Sequence, residues 1–212
     1  YWVDTDRATT IRGLFAAGDA AGGCPQKYVT GALAEGEIAA LSALRYISEN
    51  APTPIPEAEI KAHISETESF LGEVKSVYSA EQLEEAMQTA MDAYAGGIKT
   101  NYRFNEKQLD IADMKIRRIE KLSDSLHADD FQELMYIYEL RERLTVCRSV
   151  IAHLKARHET RWHCFAENLD YPEKDDKNWR KYVNSRLENG EIKIILRELT
   201  EEGQRVYEHS HK

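Results

Sequence analysis

The chain has only three cysteines in 212 residues, Cys24, Cys147 and Cys164, widely separated and with no C-x-x-C pair. An odd, scattered set of this kind excludes a disulfide framework, a zinc site and an iron–sulfur cluster held by these residues alone. It suits a reducing cytoplasm. Excess positive charge is also missing. The formal net charge is −9, which excludes the basic face needed to displace counterions from nucleic acid. No apolar run approaches the roughly 20 residues of a membrane-spanning helix. No internal repeat is visible. The histidines, His63, His127, His153, His158 and His163 among them, show no metal-ligand spacing, and His209 and His211 sit in a charged tail that reads as frayed. No metal site and no catalytic histidine is expected.

What is present is an ordinary soluble composition, 42% hydrophobic and 31% charged, long enough to bury a sizeable core. Proline is scarce and concentrated. Three of the five prolines fall in residues 51–56, Ala51-Pro52-Thr53-Pro54-Ile55-Pro56, which cannot continue a helix and read as an extended linker. The linker separates a first unit, 1–50, from a helical array over 57–161. An aromatic and charged segment with a hairpin and tail follows over 162–212. In the first unit, Tyr1-Trp2-Val3-Asp4 and Leu14-Phe15-Ala16 read as short strands, and Gly31 to Ile47 as a helix with apolar Leu33, Ile38, Leu41, Ala43, Leu44 and Ile47. A start at Tyr1, inside a strand, leads us to expect a piece of a larger polypeptide.

The array reads as four helices. Glu57–Leu71 opens with acids in its first turn, as the helix dipole favours. Ser79 with Gln82 three residues on forms a capping-box pattern, for a helix ending near Gly96-Gly97. Asn105–Leu126 carries Leu109, Ala112, Ile116, Ile119, Leu122 and Leu126. Asp129 or Asp130 caps the longest helix, where Ile137, Leu140, Leu144, Cys147, Ile151 and Leu154 form a seam. Such a stripe is packing surface rather than a cofactor box. Tyr182–Asn184 and Ile192–Leu196, around Asn189-Gly190, read as a hairpin. The fold class is therefore mainly α, with a small α/β portion first and a hairpin last.

The segment with most chemistry is Gly13-Leu14-Phe15-Ala16-Ala17-Gly18-Asp19-Ala20-Ala21-Gly22-Gly23, followed by Thr30-Gly31-Ala32-Leu33-Ala34-Glu35-Gly36. An apolar run ends in an acid, glycines follow, and small residues open a helix. Asp19 can accept hydrogen bonds from a sugar hydroxyl while the glycines admit a ligand closely. Equally, it can satisfy turn amides. The helix start at Gly31-Ala32-Leu33 offers free N–H groups and a positive dipole end, suited to negative charge, or is simply a helix start.

These residues resemble the last flavin-contacting segment of the succinate dehydrogenase, fumarate reductase and adenylylsulfate reductase flavoproteins. The resemblance extends to Arg157-His158-Glu159-Thr160-Arg161-Trp162 and Asp175-Asp176-Lys177-Asn178-Trp179, similar to the family's Arg-x-Glu-Ser-Arg run and Asp-Asp-x-x-Trp. It implies FAD as cofactor, held through Gly18, Asp19, Gly31, Ala32 and Leu33. It also implies two-electron exchange with a small anionic substrate and an iron–sulfur subunit as electron partner. Where fumarate reductases and succinate dehydrogenases carry Asn-Arg to clamp a dicarboxylate, this chain has Gln26-Lys27. Lysine is a point charge and not a planar fork, so the loop is closer to the adenylylsulfate reductase version, with Lys27 as the substrate-anion contact. Thr160 and Trp162 lean the same way. Residues adjacent to the helix end, Arg157, Glu159 and Arg161, read as a structural brace.

The resemblance thus implies the C-terminal part of an FAD-dependent oxidoreductase flavoprotein subunit of the adenylylsulfate reductase kind, cytoplasmic and without a membrane span. Lacking the Gly-x-Gly-x-x-Gly segment and capping domain of that family, the chain alone is expected to bind flavin weakly and to be inactive. Within the class, a fumarate reductase or succinate dehydrogenase flavoprotein is the alternative, with L-aspartate oxidase behind it. From another class, the array could be a helical interaction module without cofactor.

Overall fold

The computed structural model describes residues 1–22, 28–72, 76–163 and 166–199. The chain divides into two compact units. Among the described residues these are Tyr1–Pro56 and Glu57–Leu199.

In the first unit the extended segments meet as isolated antiparallel bridges, Val3 with Thr9 and Ala8 with Phe15. The expected short strands are thus single-residue pairings. Segments 1–4 and 14–16 do not pair with each other; each pairs with residues 8–9 between them. The tight turn joining them is built by Asp4, whose carboxylate accepts from the amides of Asp6 (2.9 Å) and Ala8 (3.0 Å). This is the backbone-bonding habit that makes Asp a turn residue. A 3-10 turn, Gly18–Ala20, then leads toward helix α1, Tyr28–Glu49. The helix begins before Gly31, which lies in its first turn. A single glycine costs a helix only about 1 kcal/mol, too little to set its boundary.

The second unit is a helical array closed by a hairpin. Its helices are α2 (Glu57–Phe70), α3 (Ala80–Tyr94), α4 (Glu106–Ser123), α5 (Phe131–Ala156) and the short α6 (Asp176–Trp179). Each long helix after α2 starts where a side chain satisfies the free amides. Ser79 and Gln82 form the expected capping box, with bonds of 3.1 and 2.9 Å. Asn105 and Gln108 form a second one. Of the two candidate caps of α5 it is Asp130 that serves, accepting from Gln132 and Glu133, while the amide of Asp129 donates to the Glu133 carboxylate. Helix α4 stops at Ser123, three residues short of Leu126. Leu126 nonetheless reaches the core from a turn closed by its amide on Ser123 O.

The core takes Leu83, Met87 and Ala90 from α3, Leu109, Ala112, Ile116 and Ile119 from α4, and Leu134, Ile137, Leu140, Leu144 and Ile151 from α5. The steps of three and four along α5 are the seam expected from the sequence. Helix α2 buries only Phe70, whose ring meets Tyr138 edge-on at 6.0 Å. Two short strands, β1 (Arg103–Phe104) and β2 (Glu167–Asn168), pair in parallel. Strands β3 (Lys181–Glu188) and β4 (Glu191–Glu198) form the hairpin. Its turn residues Asn189 and Gly190 have φ of 51° and 78°, the left-handed pair that an Asn-Gly turn supplies.

The link from α3 to β1 has no slack at Gly97. A Cβ there would lie inside contact distance of Asp92 Cα and 2.6 Å from its carbonyl oxygen. Because backbone cannot swing aside as a side-chain tip can, Gly97→Ala is expected to destabilise the helical unit by about 1–3 kcal/mol. A urea midpoint unchanged from the parent chain would refute it.

Candidate functional site

In the first unit, the Gly18–Ala20 turn lies against the start of α1. Gly18 has a φ of +64°, and a Cβ built on it would sit 3.5 Å from Cβ of Ala32. Glycine at 18 supplies the left-handed backbone, and alanine at 32 allows the close approach. Gly18 and Ala32, named separately from the sequence, are therefore neighbours. Asp19 is exposed. Its carboxylate has no hydrogen-bond partner among the described residues, so it is not spent on turn amides and can accept from a ligand. Leu33 is 70% exposed.

One expectation changes. With α1 starting at Tyr28, the amides of Ala32 and Leu33 fall within reach of the carbonyls four residues back, Tyr28 and Val29. The amides an α-helix leaves unpaired are those of its opening positions, which here precede Ala32. The dipole argument survives, because Gly31, Ala32 and Leu33 remain in the first two turns. Donation of free main-chain amides by Ala32 and Leu33 does not. Lys27 lies outside the described residues.

The sequence reading missed the group that holds this turn. Glu35 is only 6% exposed. Its carboxylate accepts from the Gly18 amide at 2.9 Å and is 3.3 Å from the guanidinium of Arg7. Arg7 itself has φ of +64° and donates to Asp4 O at 3.2 Å. The available signal was an acid on the same helical stretch as six apolar positions. A buried carboxylate needs hydrogen bonds or a cation, and both come from residues distant in sequence.

In the second unit the Arg157–Trp162 run is a brace, as expected. Glu159 has a side chain with no exposed surface. It accepts from Arg157 (2.6 Å), from Nε and Nη2 of Arg161 (2.8 and 2.9 Å) and from the Asp175 amide (2.9 Å). Burial pushes its carboxyl up, but hydrogen bonds from Arg161, the Asp175 amide and Arg157 outweigh that and hold it below the ordinary range. Arg157 also donates to the carbonyls of Trp179 and Lys181, and Arg161 to Asp176. Thr160, fully buried, donates to Tyr171 O at 2.9 Å and accepts from the Asn168 amide at 2.9 Å. The guanidinium donors are thus occupied by structure, tying α5 to α6 and β3. Burial, and then Arg157, keeps nearby His153 below the usual imidazole range, and burial pushes the Cys147 thiol up; neither is poised as a nucleophile or acid. Among the described residues no cluster of histidine, cysteine and carboxylates could hold a metal ion. No helix among them is long and apolar enough to cross a membrane.

A helical unit closed by an Arg-x-Glu-Thr-Arg brace is the arrangement of the C-terminal domain of a flavoprotein family. The profile of the family described as fumarate reductase flavoprotein C-term matches residues 84–208, more than half of the chain, and the chain belongs to that family. It is 27% identical over 197 residues to the adenylylsulfate reductase subunit alpha of Megalodesulfovibrio gigas, covering 86% of this chain and 30% of that protein. The structure of adenylylsulfate reductase from the hyperthermophile Archaeoglobus fulgidus superposes with a TM-score of 0.85 at 32% identity, covering 92% of this chain and 33% of that one. A structure of adenosine-5-phosphosulfate reductase in complex with sulfite, as a covalent adduct, matches with the same values. Quinol fumarate reductase of E. coli shares the fold, with a TM-score of 0.74 at 20% identity, over 93% of this chain and 35% of its own. The chain spans about a third of the length of these relatives.

Proposed function

We propose that this chain is the C-terminal part of an FAD-dependent oxidoreductase flavoprotein subunit of the adenylylsulfate reductase type. Bound flavin would supply two-electron exchange with a small anionic substrate, with an iron–sulfur subunit in a cytoplasmic complex as electron partner. In this reading Asp19 accepts hydrogen bonds from the cofactor's sugar-like chain. Gly18 and Ala32 keep the turn and helix close enough for both to meet it, and Gly31 and Leu33 line the same opening turns of α1. Lys27, directly before α1, contacts the substrate anion. The observation that carries the reading is the close approach of Gly18 to Ala32 beside a carboxylate open to a ligand. The 32% identity to adenylylsulfate reductase, against 20% to quinol fumarate reductase, supports the sulfur-oxyanion class over a dicarboxylate.

The full-length protein provides the test. It should copurify with FAD and turn over adenylyl sulfate or sulfite with AMP in preference to fumarate or succinate. Asp19→Ala should weaken FAD binding about 10- to 100-fold, the size of a hydrogen bond to a charged group. Lys27→Ala should raise KM for the anion about tenfold or more, with FAD content unchanged. A full-length protein that purifies without FAD and cannot be reconstituted would overturn the reading.

A further inference from the structure

Glu35 has the attributes of a residue placed for a purpose other than stability. It is a carboxylate buried on a helix whose apolar residues Leu33, Leu41, Leu44 and Ile47 are all more than half exposed, so the helix hides its acid and shows its leucines. An ionised group removed from water in this way is costly unless it is paired and hydrogen-bonded. Arg7 supplies the charge partner at 3.3 Å and the Gly18 amide the hydrogen bond at 2.9 Å. The amide belongs to the residue before Asp19, on a three-residue 3-10 turn with no side-chain cap at its N-terminus. Turns of this length are held weakly by their own geometry. The contact to Glu35 spans 17 residues and fixes both where the turn sits on α1 and how Asp19 is presented.

We propose that Glu35, charge-balanced by Arg7, is a positioning residue that sets the Gly18–Asp19 turn for the cofactor. The inference rests on the flavin reading above. Arg7 supplies the positive charge that a buried carboxylate requires. The working element is the reach of the acceptor oxygen to Gly18, and that separates the two conservative substitutions. Glu35→Gln keeps an acceptor at the same distance from the backbone. Glu35→Asp keeps the charge but withdraws the oxygen by one methylene, beyond hydrogen-bond range of the turn.

The test uses the full-length protein, with FAD affinity from fluorescence titration, the visible spectrum of bound flavin and a thermal melt of each apo variant. Glu35→Gln should bind FAD within about threefold of the parent with the parent's spectrum. Glu35→Asp should bind at least tenfold more weakly, with a shifted flavin band and a melt close to that of Glu35→Gln. Equal affinity and spectrum in the two variants overturns the proposal. Unfolding of either variant also overturns it, since Glu35 would then be a stability residue. Asp19→Ala keeps the two ideas apart. A parent that binds no FAD defeats the flavin reading itself; a parent weakened by Asp19→Ala but indifferent to Glu35→Asp defeats only this inference.

Discussion

Glu159→Ala should lower the unfolding free energy of the helical unit by about 3–5 kcal/mol at neutral pH, the usual result of removing one member of a buried charged network. Two arginines, 28% and 24% exposed, face Glu159, and both would lose their shared acceptor while still tied to other elements. Truncation therefore leaves positive charge uncompensated at the junction of α5, α6 and β3. The effect is pH-dependent in a fixed sense. The Glu159 carboxyl is lowered from its ordinary 4.5 in the folded chain, so its stabilisation is fully present above about that pH. As the medium is acidified below it, the folded state must give up a bound carboxylate, and the contribution is lost on passing the folded value. Parent and variant should differ most above pH 4.5, and the difference should shrink as the pH is taken below it in urea titrations. A difference that stays constant across that range would show that Glu159 acts by shape alone.

Leu144→Ala should cost a similar amount, about 3–5 kcal/mol, with no pH dependence. Leu144 is completely buried in the middle of the α5 seam, with Leu140 one turn earlier equally so. Its loss removes transfer free energy and leaves a cavity that two helices packed on α5 cannot collapse into. A midpoint shift equal at pH 4 and pH 7 is the expected observation. A loss below 1 kcal/mol would mean that the site repacks and that the seam is less closely filled than its burial indicates. Together the two variants separate the charged and apolar ways in which α5 is fastened.

The helical unit was readable from residue patterns to a considerable degree, because its signals are local. The Ser79 box, an aspartate cap at 129 or 130, the apolar steps of α5 and the Asn-Gly turn each act over four residues or fewer. Sequence spacing and spatial spacing are nearly the same thing there. The first unit was less legible. Its extended segments have only single-residue pairings among the described residues, and its apolar helix positions are exposed, so hydrophobic periodicity there does not predict burial. The sequence places the opening of α1 at Gly31, yet the helix already runs from Tyr28.

The candidate site divides along the same line. Gly18, Asp19 and Ala32 could be named as candidates from small residues around an acid, and the positive φ of Gly18 is a local backbone demand of the kind glycine meets. Glu35 and Arg7 could not, because a charged residue on a helix is ordinarily solvated and nothing in its neighbours along the chain says otherwise. Likewise, the brace residues could be found by resemblance, but that Glu159 is their centre follows only from four donors converging on it.

Residue order alone determined the four long helices of the array, the Ser79 capping box, the α5 seam and the terminal hairpin, since backbone amides and apolar stripes find their complements within a turn or two. Tertiary structure alone decided which acids are buried. Burying a carboxylate is favourable only when donors from elsewhere arrive at once, and that convergence is a property of the folded chain.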